Sequence, residues 1–104
     1  MLPPEFETDE SAVAESRTTP KKPSLFKVLL HNDDFTTMEF VVQVLEEIFG
    51  HPREKSIQIM LHVHTLGAGV AGVYTLEVAE MKVGETTALA RAYEFPLLCT
   101  MEEA

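Results

Sequence analysis

What this chain lacks narrows its function before any motif is considered. It has a single cysteine, Cys99, so no internal disulfide can form, which fits a reducing compartment. The same shortage removes the usual structural zinc patterns, and Cys99 reads as a small buried apolar residue. Basic residues are scarce: 8 Lys and Arg stand against 17 Asp and Glu, for a net charge of −9. Neutralising phosphates needs the opposite balance, so no nucleic-acid partner and no anionic membrane partner is expected. A cationic ligand suits the average field better. No apolar run approaches the roughly 18 residues of a membrane span. The amino end MLPPEFETDE lacks a basic-then-apolar secretory layout, and a cytoplasmic location is expected. Neither a phosphate-cradling glycine loop nor a GxSxG nucleophile motif occurs.

What is present suffices for one domain. The chain has 104 residues, 45% of them apolar, enough for one core without metal or disulfide staples. Residues 1–24 hold Pro3, Pro4, Pro20 and Pro23 among acids and scattered apolar residues, a composition that predicts a flexible tail. The domain is expected over 25–104. Leu25 to Leu30 reads as a strand ending in the turn formers His31-Asn32-Asp33-Asp34. Thr36-Thr37-Met38-Glu39 has the spacing of a capping box with Thr36 as the cap. Met38, Val41, Val42, Leu45, Ile48 and Phe49 then recur at helical spacing, and Gly50 ends the helix. A second helix is expected with Pro52 in its first turn and an exit at Gly67 and Gly69. Val70 to Thr75 reads as a strand, Leu76 to Tyr93 as a helix weakened by Gly84, Thr86 and Thr87, and Leu97 to Met101 as a last strand. The order β-α-α-β-α-β predicts an α+β sandwich: a small antiparallel three-stranded sheet packed against three helices.

Asn32, Asp33 and Asp34 lie where a strand gives way to a helix, a junction that often presents binding groups. Local pattern by itself favours the plainer reading, a turn with acids that suit the helix dipole. Met60, Val63 and His64 share one helical face, as do Met38 and Val41. Packed as a pair, the two helices would form an apolar cup with a polar rim, suited to one large side chain bearing a cationic head. His62 and His64 sit two residues apart, roughly 200° around a helix, and cannot chelate one ion together. No metal or other cofactor is expected. Asp33 with His64 could form an acid–base pair, but nothing supplies an oxyanion site.

Four ordered blocks carry a resemblance: VLLHNDDFTTMEFVVQVLEEIFG, IMLHVH, GVYTLEVAEMKV and PLLCTMEEA. Together they resemble the ClpS adaptor family from about Lys22 to the carboxyl end. The resemblance implies a non-enzymatic, monomeric adaptor with a ClpS-like sandwich. Such adaptors bind N-degrons, proteins beginning with Leu, Phe, Tyr or Trp, and deliver them to the ClpA unfoldase of the ClpAP protease. It implies that Asn32, Asp33 and His64 bind the free α-amino group, with Asp34 and Thr36 supporting the rim. Met38, Val41, Met60, Val63 and Leu97 would line the side-chain pocket, with Met38 as the gate against β-branched residues. Glu77 and Lys82 would face the unfoldase's N-terminal domain.

Departures from the family pattern are few. Thr37 stands where the family often has proline, which predicts a less rigid helix start beside Met38. The Gly67-Ala68-Gly69 link is glycine-rich, and Gly84 to Thr87 diverge. Two other functions fit parts of the sequence. A docking module related to the ribosomal stalk C-terminal domain would use a surface helix and have no use for the NDD and HVH blocks. A small Asp/His hydrolase would turn over substrate without a protease partner.

Overall fold

The computed structural model describes residues 23–104, so the tail expected over 1–24 lies outside the described residues except for Pro23 and Ser24. Six elements follow in the expected order: β1 (Leu25–His31), α1 (Met38–Glu47), α2 (Arg53–Leu66), β2 (Ala68–Thr75), α3 (Leu76–Ala92) and β3 (Leu98–Glu103). The sheet is antiparallel throughout, with β1 between β2 and β3. Central placement of β1 accounts for its buried Val28 and Leu30, two residues apart on the face turned to the helices; both are wholly inaccessible to solvent. They meet Val44 and Leu45 of α1, Val63 of α2, Ala79 and Ala90 of α3, and Cys99 of β3 in one core. Burial pushes the Cys99 thiol up to about 11, against the lowering effect of the adjoining Thr86 hydroxyl.

The opposite sheet face carries polar pairs across the strands. Lys27 and Glu102 approach to 3.7 Å, and His31 Nε2 lies 2.7 Å from the Thr100 hydroxyl. Between Val28 and Leu29 the β1–β2 register shifts, leaving Ala71 as the extra residue of a bulge. Its carbonyl accepts a hydrogen bond from His51 Nε2 at 2.6 Å. A carbonyl can only accept, so that nitrogen carries the proton.

Both short helices end as their glycines predict. Gly50 and Gly67 have φ of +71° and +91°, a region that a β-carbon disfavours. The third helix runs unbroken through Gly84 despite its weak propensity, because Ala79, Thr86 and Ala90 are buried on one face; packing outweighs intrinsic preference here. Glu94, at φ +63°, closes this helix just before Phe95-Pro96. The Phe95 N–H then bonds back to the Ala90 carbonyl at 2.8 Å.

Candidate functional site

The backbone of Asn32 places the site. Its N–H donates to the Gly67 carbonyl at 2.8 Å, tying the end of β1 to the left-handed cap of α2. That bond brings the 32–37 loop alongside the last turn of α2, which carries His64. Asp33 then folds the loop upon itself. Its Oδ1 accepts from the N–H groups of Phe35 at 2.8 Å and Thr36 at 2.7 Å, and its Oδ2 accepts from the Thr36 hydroxyl at 2.7 Å. Burial by itself raises the Asp33 pKa; the bonds from Thr36 and Phe35 more than offset it and hold the carboxyl below its ordinary value. Three bonds occupy most of a carboxylate's roughly four lone-pair sites, yet the group keeps its full negative charge.

This arrangement corrects the expected helix cap. The Thr36 hydroxyl donates to Asp33 and does not cap α1; Thr37 is the N-cap, its hydroxyl accepting from the Phe40 N–H at 3.1 Å. Thr37 thereby ties the turn beside Met38 with a side-chain acceptor. A smaller shift concerns Pro52, which precedes the first turn of α2 as its N-cap.

A cavity of about 230 Å³ opens between the loop and the two helices, lined by Asn32, Asp33, Asp34, Thr36, Met38, Val41, Met60, Val63 and His64. Its wall contains nine of the ten residues expected at the amino-group site, rim and pocket. The tenth, Leu97, is absent from it. Leu97 is 6% exposed within the core and lines a separate depression with Ala90, Phe95 and Cys99. Val41 and Val63, at 7% and 2% exposure, form the floor, while Met38, at 45%, stands at the lip. Asn32, Asp34 and His64 are exposed, and among the described residues their side chains make no hydrogen bond. Asp33 is bonded to Thr36 and Phe35, with no bond to His64. His62 lies away from the cavity, beside Lys55, Ile59 and Val70. No group of three or more His, Cys, Asp or Glu among the described residues is placed to hold a metal ion.

Glu77 and Lys82 sit apart from this cavity on α3. Glu77 is exposed in the first turn. Lys82 is half-buried, and its Nζ donates to the Ile48 carbonyl at 2.6 Å while lying 5.9 Å from the centre of the Tyr74 ring. It therefore closes the carboxyl end of α1, a bond that the sequence did not indicate.

Sequence reading also missed a second cavity of about 400 Å³ between α1 and α2, lined by Met38, Glu39, Val42, Gln43, Glu46, Arg53, Ile57 and Met60. The signal was available: Glu39, Val42, Gln43 and Glu46 fall at i, i+3, i+4 and i+7, one face of a helix.

Comparison with known proteins agrees with this geometry. Residues 21–100 match the family described as ATP-dependent Clp protease adaptor protein ClpS. The chain is 56% identical over 96 residues to the ATP-dependent Clp protease adapter protein ClpS of Methylococcus capsulatus, covering 92% of this chain and 91% of that one. With the corresponding protein of Caulobacter vibrioides it shares 55% over 93 residues, or 89% of this chain and 85% of the other. Among solved structures, Agrobacterium tumefaciens ClpS2 bound to L-phenylalaninamide is similar at a TM-score of 0.77 and 37% identity, covering 80% of this chain and all of that one. A profile match across most of the chain, relatives above half identity and a shared fold lead to one conclusion: the chain belongs to the ClpS family of Clp protease adaptors.

Proposed function

We propose that the 230 Å³ cavity receives the first residue of an N-degron, a free α-amino group joined to a Leu, Phe, Tyr or Trp side chain. The observation that carries this reading is the division of the cavity wall: acceptors at the loop and His64, valine and methionine elsewhere. A free α-amino group has a pKa of about 7.7–8.0 and is mostly cationic at neutral pH. The Asn32 carbonyl, the Asp33 carboxylate and a neutral His64 ring nitrogen can each accept from it, and protonating His64 would replace an acceptor with a like charge. Asp34 and Thr36 support the rim, Thr36 by holding the Asp33 carboxylate. Met38, Val41, Met60 and Val63 take the side chain, and Met38 at the lip disfavours β-branched residues. The cavity is smaller than the about 300–1,000 Å³ of drug-sized sites, which suits one side chain.

Magnitudes are sufficient for capture and release. Hydrogen bonds to the ammonium contribute roughly 1.5–3 kcal/mol each, and burying a Leu or Phe side chain a further roughly 1.5–3 kcal/mol. After association costs, an affinity in the micromolar range, about −8 kcal/mol, follows.

Delivery goes to the N-terminal domain of the ClpA unfoldase. Exposed Glu77 contacts it directly, while Lys82 contributes by setting α3 against the end of α1. The chain acts as a monomeric, cytoplasmic adaptor without catalysis of its own. Its net charge of −9 disfavours nucleic acid and anionic membranes, and no described helix is long and apolar enough to cross a membrane. The hydrolase alternative needs an Asp33–His64 pair, and Asp33 bonds Thr36 and Phe35 instead.

A titration with labelled peptides differing only in their first residue tests the reading. Leu, Phe, Tyr and Trp peptides bind in the micromolar range, a Val peptide binds at least tenfold more weakly, and Nα-acetylation abolishes binding. Equal binding by all of them would defeat the proposal.

A further inference from the structure

The two cavities between α1 and α2 share a wall. Met38 and Met60 line both the 230 Å³ pocket and the 400 Å³ groove beside it. The groove has an apolar floor, with Val42 at 5% and Met60 at 9% exposure and Ile57 half-buried. Its rim is acidic. Glu46 is already engaged by Arg53 at 3.7 Å, whereas exposed Glu39 makes no ion pair among the described residues. An apolar floor beneath a carboxylate fits a side chain that is aliphatic along its stem and cationic at its tip, the form of Arg and Lys.

We infer that this groove binds the third residue of the same polypeptide whose first residue occupies the pocket, and that it favours Arg or Lys there. This inference rests on the proposed N-degron reading. In that reading the amino terminus is held by Asn32, Asp33 and His64. The exposed lip of the cavity without a polar side chain is Met38, and the chain leaves across it. In an extended chain, side chains alternate faces and advance about 3.3 Å per residue. The second side chain therefore turns to solvent, and the third returns to the protein surface about 7 Å from the first, across the methionine wall. There its stem lies over Val42 and Ile57, and its charge faces Glu39. A third-position Glu meets the same carboxylate and is disfavoured.

Isomeric peptides separate this groove from the general negative field of the protein. Phe-Ala-Arg and Phe-Arg-Ala amino ends on one labelled peptide carry the same charge and composition, so a diffuse field treats them alike. With Phe-Ala-Ala and Phe-Ala-Glu they make a series for anisotropy titration at low salt. The groove predicts that Phe-Ala-Arg binds about threefold more tightly than Phe-Arg-Ala or Phe-Ala-Ala, the size of an exposed ion pair, and that Phe-Ala-Glu binds more weakly still. In Glu39→Lys the order of the Arg and Glu peptides at the third position inverts. Equal binding of the two isomers by the wild type overturns the inference without recourse to any variant, as does a third-position order unchanged in Glu39→Lys. Acetylated Phe-Ala-Ala is the separate control. If acetylation abolishes binding while the third residue makes no difference, the amino-group pocket stands and the groove falls. If acetylation makes no difference, the underlying reading falls with it.

Discussion

The two ends of α1 handle polar groups in opposite ways. At its carboxyl end they are paired off. Lys82 bonds the Ile48 carbonyl, His51 Nε2 bonds Ala71, and the His51 N–H returns to the Leu45 carbonyl at 3.1 Å. At its amino end, Asp33 and Thr37 spend their side chains on fixing the loop and the first turn. Asn32, Asp34 and His64 are left exposed around a cavity. Paired polar groups hold a fold together; under the proposed function, the polar groups left exposed around the cavity are the ones available to the bound amino terminus. The paired and the exposed groups lie at opposite ends of one ten-residue helix.

That contrast breaks most readily at Asp33. Replacing it with Ala removes three loop bonds and the charge facing the bound ammonium. Affinity for a Phe-initiated peptide should fall at least about thirtyfold, or about 2 kcal/mol, from loss of charge-assisted bonds. Lys82→Met should behave in reverse. Removing the cation from the end of α1 costs about 1–2 kcal/mol of stability in urea melts and leaves peptide affinity within about twofold, since no pocket residue moves. A peptide-binding loss as large as that of Asp33→Ala would erase the distinction between the two ends. Thr37→Ala gives a smaller effect at the open end: about 1 kcal/mol of stability is lost with the cap. Discrimination against a Val-initiated peptide narrows as the turn beside Met38 loosens, which the first-residue peptide panel reads directly.

The smallest effect is a pH dependence. Asp33 has a lowered pKa in the folded chain, so the unfolded chain binds its proton more readily. Its contribution to stability is therefore fully present above the unfolded value of about 3.9 and is lost as pH falls through the lower folded value. Urea melts of the wild type and Asp33→Asn at pH 7, 5 and 3 should show a stability gap that is constant between pH 7 and 5 and narrows at pH 3. A gap independent of pH would mean that the carboxylate charge contributes nothing to the loop.

Much of this was legible in the sequence, though by two different routes. The element order and the α1 and α2 faces follow from hydrophobic period alone, and helix ends at Gly50 and Gly67 follow from glycine. The site does not: on local pattern Asn32-Asp33-Asp34 reads first as a plain turn, and its binding role comes only from the family blocks. The misses share a cause, because each depended on contacts distant in sequence or on a choice between equivalent neighbours. Thr36 and Thr37 carry the same hydroxyl, and which one caps α1 was decided by Asp33 claiming the first. Lys82 reads as a surface charge until α3 is laid against Ile48, 34 residues away. The Ala71 bulge and the central place of β1 are properties of strand pairing that no window of sequence displays.

Under the proposed function, the open end of α1 receives one positive charge, the α-amino group of a polypeptide. This is tested most directly by titrating one Phe-initiated peptide and its Nα-acetylated twin against the wild-type chain under identical buffer. The free amine should bind at least about a hundredfold more tightly, as loss of two charge-assisted hydrogen bonds requires. Equal affinity for the two peptides would contradict it.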